Sequence, residues 1–178
     1  GSLDSLAIQI RYLSSNIETH LLGNHIFSNA KALLFAGLFF KGKEADYWYQ
    51  IGLNIINKEL PEQVLSDGGN FELSPMYHAI FLEDLLDLVN IHQVYNKRLA
   101  TDIQSTILSM FGWLKTMCHP DGEISFFNDS AIGIAQSLKE LLEYGKRLNI
   151  TCANDSIDTL RWLKDSGYIR VQKENLVS

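Results

Sequence analysis

Two side chains of this sequence, Tyr77 and His78, could transfer protons, and the residues before them predict how they are held. Ser74 is a favoured N-cap, and Pro75 suits the first position of a helix, where no amide donor is needed. Both aromatic side chains would then lie in the first turn, beside the partly positive end of the helix. A phenol and an imidazole there could exchange protons with a bound anion, although two aromatic residues in a first turn are more often only structural.

The same kind of irregular segment occurs twice more, at Gly23-Asn24-His25 and in residues 119–129. The Asn24 amide could donate to an anion, but the simpler interpretation is that Asn24 is an N-cap of the next helix. His25 is more often a satisfied polar residue than a catalyst. His119 precedes a proline in a turn and is interpreted as structural.

The elements that must position these residues are predicted to be helices along nearly the whole chain. Apolar residues spaced by three and four form one stripe along residues 3–21, and residues 26–40 are apolar on nearly every side. Further helices are predicted in residues 47–56, 76–89, 103–117, 131–142 and 156–164, with the beginning of a strand at 168–172. Buried helices therefore alternate with amphipathic ones.

The spacing of the irregular segments predicts a repeat. Asp67 and Asp121 occupy similar Asp-Gly loops 54 positions apart, and Tyr77 follows Asn24 by 53 positions and precedes Asn128 by 51. A period near fifty that is made of helix pairs is typical of helical repeat proteins. The predicted fold is all-α, an incomplete α/α toroid of roughly three helical hairpins, with the three irregular loops gathered at one end.

Composition excludes several classes of protein. The chain has 178 residues, 46% of them hydrophobic, and a net charge of −6, which argues against nucleic acid as a partner. Cys118 and Cys152 have no metal-ligand spacing, so neither a metal nor another cofactor is predicted. The longest apolar run, residues 32–40, is too short to span a membrane, and no signal peptide is recognisable.

Four separated motifs resemble the heparinase II/III-like family. They are Leu22-Gly23-Asn24-His25, the helix of residues 30–40, the two segments 67–72 and 74–78, and His119-Pro120-Asp121-Gly122-Glu123. The resemblance implies an α/α toroid followed by a β-sandwich, with residues 1–166 in the toroid and 167–178 beginning the sandwich. It also implies a polysaccharide lyase that cleaves uronic-acid-containing chains by β-elimination, and it favours a periplasmic or secreted protein.

The same resemblance implies roles for single residues. The family's catalytic Asn and Tyr match Asn24 and Tyr77, and His25 matches a neighbouring catalytic His. The residues expected to bind an acidic polysaccharide or oligosaccharide are His78, Asn70, Glu72 and Asn128. A neutral amide can hydrogen-bond the uronate carboxylate, but a phenol has a reference pKa of about 10 and needs a partner to act as a base. The family's further His lies in the β-sandwich.

Two other functions remain open. An acidic chain with no cluster of Arg or Lys beside the loops could be a non-catalytic glycan-binding or surface-polysaccharide assembly domain. Asp67, Glu72, Asp121 and Glu123 could serve a glycoside hydrolase of toroid fold, although Asp-Gly pairs are ordinary turn formers. His78 could simply hydrogen-bond within its helix, and the open edges of the arc are expected to favour self-association.

Overall fold

The computed structural model describes residues 1–18, 24–99, 103–152, 159–173 and 176–177. These residues form six helices and three short strands, so the all-α class is confirmed. In chain order the elements are α1 Ser2–Ser15, α2 Asn24–Phe39, α3 Lys43–Gln63, α4 Pro75–Val94, α5 Ile103–Met117, α6 Leu138–Arg147, β1 Leu160–Leu163, β2 Tyr168–Lys173 and β3 Leu176–Val177. None of the described helices is both long and apolar enough to cross a membrane.

The chain divides into two compact units. The first contains Gly1–Pro61 and Ile91–Ala100, and the second contains Glu62–Asn90 and Thr101–Ser178. In the first unit α2 is buried on nearly every side, as its apolar sequence predicts. Its core is a cluster of residues from three helices: Ile10, Leu33, Ala36, Ala45 and Trp48.

The core of the second unit is formed by α4 and α5. The α4 residues from Pro75 to Asn90 include no exposed side chain, which agrees with their apolar sequence. The fully buried side chains contributed by the two helices include Phe81, Leu82, Leu85, Leu86, Ile107, Phe111 and Trp113. Burying side chains of this size stabilises a fold by about 1.5–3 kcal/mol each.

A small antiparallel sheet follows α6 in the order β1-β2-β3. On one face, Leu163 and Tyr168 pack against Trp113 and Met117 of α5. The opposite face carries two directly opposed pairs, Leu160 with Val171 and Trp162 with Ile169. These four side chains are 63%, 46%, 60% and 59% exposed in that order, so the sheet has one packed face and one exposed apolar face.

Two predicted helices are wrong in part. Residues 131–137 are not helical, with a turn at 132–134, and α6 begins only at Leu138. Asn128, Asp129 and Gly133 have φ values of +45°, +60° and +80°, which interrupt a helix. Ser137 then caps α6, since its side chain accepts the Glu140 N–H while the Glu140 side chain accepts the Ser137 N–H.

The helix predicted in residues 156–164 is also wrong over its described part. Leu160–Leu163 is strand β1 and pairs with β2, while residues 153–158 lie outside the described part of the chain. The segment is a strand because it pairs with β2 along its whole length, and a local apolar pattern does not reveal such a pairing. The strand predicted at 168–172 is confirmed as β2. The predicted boundary between the toroid and the β-sandwich, at residues 166/167, stays a prediction. Strand β1 lies within residues 1–166, the part assigned to the toroid.

Candidate active site

The loop before α4 is a closed turn built on one aspartate. The Asp67 Oδ1 atom accepts the Gly69 N–H at 3.0 Å, and an isolated bridge joins Val64 to Asn70. Gly68 has a φ of +89°, and a Cβ atom there would lie 2.3 Å from the Ser109 carbonyl oxygen, so only glycine fits. The Asp-Gly-Gly sequence thus forms the predicted turn, packed directly against α5.

The loop after α5 has the same geometry 54 positions later. Cys118 and Ile124 form the matching bridge, and Asp121 Oδ1 accepts the Glu123 N–H at 3.0 Å. In both loops the glycine after the aspartate has a positive φ, +89° and +93°. The repeat predicted from the two Asp-Gly pairs is therefore confirmed in the backbone of the second unit.

The first turn of α4 is capped twice. Ser74 Oγ accepts the Tyr77 N–H at 3.3 Å, which confirms the predicted N-cap, and α4 begins at Pro75 as predicted. Ser130 Oγ accepts the Met76 N–H at 3.3 Å and donates its only hydrogen to the Phe127 carbonyl at 2.8 Å. Ser74 must therefore be the donor in the 3.0 Å contact between the two hydroxyls. This arrangement holds Tyr77 half-buried in the first turn.

His78 is completely buried and supports the loop. Its Nδ1 atom accepts the Asn70 N–H at 3.1 Å, so Nε2 carries the proton and donates to the Met110 carbonyl at 3.0 Å. The ring stacks on Trp113 with centroids 4.4 Å apart. Burial lowers the pKa of His78 to about 3 and keeps the ring neutral. Substrate binding by His78 conflicts with this arrangement, and its hydrogen bonds reach outside its own helix.

Asn70 is as deeply buried as His78 and shapes the same loop. Its Oδ1 atom accepts the Glu72 N–H at 3.0 Å, and its carbonyl accepts the Leu73 N–H at 2.9 Å. A side chain with no exposed surface does not reach a polysaccharide, so the expected substrate contact of Asn70 also conflicts with the structure. Glu72, by contrast, is half-buried.

Leu73 joins this loop to the capping residue and has a φ of +57°. The left-handed region costs a residue other than glycine about 1–2 kcal/mol. Its carbonyl accepts two hydrogen bonds, from the Tyr168 hydroxyl at 2.9 Å and from Asn128 Nδ2 at 3.2 Å. Asn128 is itself exposed, and its amide nitrogen supports the loop beside α4.

The turn between β1 and β2 is attached to the same loop. Asp67 Oδ2 accepts the Asp165 N–H at 3.0 Å, the Ser166 N–H at 2.8 Å and the Ser166 hydroxyl at 2.7 Å. Burial opposes ionisation of Asp67, but the bonds from Ser166, Gly69 and Asp165 outweigh it and leave its pKa below the usual value. With both oxygens occupied by donors, Asp67 is a structural carboxylate and a poor candidate for hydrolysis.

A cavity of about 440 Å³ lies beside this turn, lined mainly by residues of the α5 end, the 125–127 segment and β2. Arg170 at its wall donates to the Thr116 carbonyl at 2.6 Å, to the Cys118 carbonyl and to Gln172 Oε1 at 2.9 Å. Burial raises the pKa of the Cys118 thiol to about 11, so it is not a nucleophile near neutral pH. No group of three or more metal-binding side chains occurs among the described residues.

The two other predicted catalytic residues lie in the first unit. Asn24 is half-buried at the start of α2, and His25 is exposed in the same turn. The His25 carbonyl accepts the Asn29 side-chain amide at 2.6 Å, so the backbone of this turn is held from within the helix. Leu22 and Gly23 lie outside the described residues. A joint site for Asn24 and Tyr77, which belong to different units, remains a prediction.

Sequence reasoning missed Ser130, Ser166 and Tyr168. Ser166 and Tyr168 contact the loop before α4, and Ser130 contacts the first turn of α4, each from at least 54 positions away. A serine that caps a helix in its own segment is recognisable from its neighbours, but one that caps a distant helix is not. The Asp-Ser-Gly sequence at 165–167 indicates a turn and gives no sign of what that turn contacts.

Residues 3–157 match the family model described as Heparinase II/III N-terminus. The chain is 33% identical over 124 residues to a heparin-sulfate lyase of Bacteroides stercoris, covering 68% of this chain and 18% of that protein. It is 31% identical over 137 residues to a heparin-sulfate lyase of Pedobacter heparinus, covering 73% and 20%. The chain thus spans about a fifth of the length of these relatives.

Solved structures show the same fold. The crystal structure of a heparinase III superposes with a TM-score of 0.79 at 20% identity, over 95% of this chain and 30% of that chain. The heparan sulfate lyase HepC from Pedobacter heparinus superposes with a TM-score of 0.70 at 24% identity, over 95% and 29%. These similarities confirm the predicted fold, an incomplete α/α toroid.

Proposed function

Because the chain belongs to the heparinase II/III family, we propose that its protein is a polysaccharide lyase and that these residues form part of its helical domain. The proposed substrate is an acidic, uronic-acid-containing polysaccharide, and the proposed reaction is β-elimination. The observation that carries the proposal is the position of Tyr77, half-buried in a doubly capped first turn of α4. The two relatives described above are heparin-sulfate lyases, and the chain covers about a fifth of their length.

In the proposed reaction Tyr77 acts first as a base and then as an acid. Its oxygen removes the proton from C5 of the uronate, and the electron pair of that C–H bond forms a double bond between C4 and C5. The bond from C4 to the glycosidic oxygen breaks, and the Tyr77 hydroxyl returns a proton to the leaving oxygen. A general acid/base contributes about 10²–10⁴-fold in rate.

Asn24 is proposed to make the C5 proton acidic enough to remove. Its amide would donate to the uronate carboxylate and stabilise the negative charge that this group gains in the transition state. His25, exposed in the same first turn of α2, would assist at the same carboxylate. Removing a single donor of this kind from an enzyme costs on the order of 10²–10³ in turnover.

Two of the four expected substrate contacts remain in the proposal. Glu72 is half-buried and Asn128 is exposed, and both lie beside the loop that precedes α4. The Asn128 amide nitrogen donates to the Leu73 carbonyl, and its side-chain oxygen can accept a sugar hydroxyl. His78 and Asn70 are not proposed to contact the substrate, because both are fully buried. They hold the loop that precedes α4.

Incubating the whole protein with a panel of acidic polysaccharides tests the proposal. A lyase generates an unsaturated uronate whose double bond absorbs in the ultraviolet, in step with chain cleavage. Cleavage without that absorbance would identify a hydrolase and overturn the proposal. Binding without any cleavage would identify a glycan-binding domain and would also overturn the proposal.

A further inference from the structure

The residue before the N-cap of α4 is held in an unfavourable backbone conformation. Leu73 has a φ of +57°, in the left-handed region that residues other than glycine seldom occupy. Such a residue keeps its conformation only when the surrounding structure fixes it, and residues of this kind cluster at functional sites. The groups that hold Leu73 therefore decide where the capping turn lies.

Two side chains hold the Leu73 carbonyl, and they differ in setting. Tyr168 is half-buried, and its ring lies 4.9 Å from Phe127 and 6.0 Å from Trp113 between centroids. Asn128 is exposed, and its donated bond is longer, 3.2 Å against 2.9 Å for the Tyr168 hydroxyl. A packed donor keeps its geometry better than an exposed amide, which exchanges partners with water. Tyr168 is thus the stronger support.

The hairpin that carries Tyr168 is itself fixed beside the loop. Ser166 donates to Asp67 through both its N–H and its hydroxyl, and it accepts the Trp113 indole N–H at 2.9 Å. Burial raises the pKa of Tyr168, so its hydroxyl keeps the proton that it donates. The hydroxyl therefore reaches Leu73 from an anchored turn.

One peptide bond and one hydrogen bond connect Leu73 to the backbone of Tyr77, the proposed catalytic residue. Ser74 follows Leu73 directly, and its side chain accepts the Tyr77 N–H at 3.3 Å. A shift of the Leu73 carbonyl moves the Ser74 backbone and, with it, the acceptor of the Tyr77 amide. Displacement of a reacting group by about 1 Å can lower a rate on the order of 10²-fold.

We propose that Tyr168 is a positioning residue for Tyr77, acting through the Leu73 carbonyl and the Ser74 cap. The role in turnover rests on the lyase function proposed above, whereas the support of the capping turn does not. Tyr168 does not touch the substrate in this proposal. Its loss should therefore lower kcat and leave KM nearly unchanged.

The first test compares two tyrosine variants in the whole protein. Tyr168→Phe removes only the hydroxyl that donates to Leu73, and kcat should fall about 10-fold or more with KM within about twofold. Tyr144→Phe is the matched control, because this hydroxyl also donates within the second unit, to Asp87 Oδ1 at 2.7 Å. The control should keep its kcat. An active protein whose Tyr168→Phe variant keeps full kcat would overturn the positioning role and leave the lyase function standing.

The second test does not depend on activity. Hydrogen exchange in peptides covering residues 70–80 should be several-fold faster in Tyr168→Phe than in the parent protein, and unchanged in Tyr144→Phe. If the parent protein cleaves nothing, the lyase function fails, and this measurement alone decides whether Tyr168 supports the turn. Equal exchange in the parent and in Tyr168→Phe would refute that support.

Discussion

The backbone N–H of Asn70 donates to Nδ1 of His78 at 3.1 Å, which bonds the loop before α4 to the first turn of α4. The other ring nitrogen is directed to α5, where it donates to the Met110 carbonyl at 3.0 Å. One neutral imidazole with a defined tautomer thereby connects a loop and two helices. Protonation would turn the Nδ1 acceptor into a donor and break the bond to Asn70.

The stability of the chain should fall as the pH is lowered below about 6.5. His78 has a folded-state pKa of about 3 against an ordinary value of 6.5, so between these values the unfolded chain binds more protons. The free energy of unfolding should decrease by up to about 1.4 kcal/mol per pH unit in that window. Urea unfolding between pH 7.5 and 4.5 measures the slope.

A His78→Gln variant is the control for this slope. Glutamine can accept and donate hydrogen bonds but does not titrate, so the variant should be less stable at pH 7.5 and less sensitive to acid. The comparison removes the contribution of the other four histidines, which are present in both proteins. Equal slopes in the two proteins would show that His78 does not govern the pH dependence.

Tyr77→Phe should keep the fold and lower turnover. Only a hydroxyl is removed, while the capped backbone N–H of residue 77 remains. In the whole protein kcat should fall about 10²–10⁴-fold, the usual contribution of a general acid/base. The measurement is the initial rate of ultraviolet-detected cleavage, with the melting temperature as the check on folding. Turnover near that of the parent would remove Tyr77 from the mechanism.

Asn24→Ala should lower turnover on the order of 10²–10³-fold if its amide stabilises the uronate carboxylate. Asn24 is also the first residue of α2, so removing its side chain can destabilise the start of that helix. Asn24→Asp separates the two effects, because aspartate suits a helix start but repels a carboxylate. The Asp variant should melt near the parent and be inactive. Full activity in that variant would exclude the proposed carboxylate contact.

Asp67→Asn should destabilise the chain much more than Asp121→Asn. Both aspartates accept one N–H within their own loop, but Asp67 Oδ2 also accepts three hydrogens from Asp165 and Ser166. An amide nitrogen at that place cannot accept them, and losing hydrogen bonds to a charged group costs about 1.5–3 kcal/mol. Urea unfolding of the two variants at pH 7.5 gives the comparison. Equal losses of stability would contradict the anchoring role of Asp67.

The 178-residue chain alone should fold as a helical unit and show no lyase activity. It should fold because its helices enclose buried apolar cores. It should be inactive because β-elimination needs a poised base and a cleft that excludes water, and the chain spans only about a fifth of the length of its relatives. We also expect self-association, because the chain exposes apolar side chains such as those of Leu160 and Trp162. Circular dichroism, sedimentation and ultraviolet-detected cleavage test these three statements. A monomer that cleaves as fast as the whole protein would show that the catalytic centre has been misplaced.

Local signals in the sequence were sufficient for the elements that depend on neighbouring residues. The Ser74-Pro75 pair predicted the start of α4, and the two Asp-Gly pairs predicted loops that the structure shows to share one hydrogen-bond pattern. Each of these features depends only on residues that lie a few positions apart in the chain. The apolar composition of α2 and α4 likewise predicted their burial, since a helix without a polar face must be covered.

The features that the sequence did not reveal depend on distant partners. His78 could serve a substrate or the protein interior, and the choice is made by the Met110 carbonyl, 32 positions away. Tyr168 reaches Leu73 across 95 positions, a pairing that no local pattern encodes. Apolar spacing also misled in residues 131–137, where Ile132 and Ile134 are 52% and 65% exposed. Apolar periodicity indicates only that a segment is able to form a helix. Here the left-handed backbone of Asn128 and Asp129, just before the segment, interrupts the helix.

The exposed apolar face of the sheet carries a tryptophan whose fluorescence can be distinguished from that of the buried tryptophans. Of its three tryptophans, Trp48 and Trp113 are 2% and 1% exposed, whereas Trp162 is 60% exposed with the Lys164 amine 5.4 Å from its ring centroid. A water-soluble quencher should therefore reach the indole of Trp162 and spare the other two. The quenchable part of the fluorescence is then an intrinsic optical reporter for that face. Any strand, second copy or ligand that covers the face should shift this emission to shorter wavelength and protect it from the quencher.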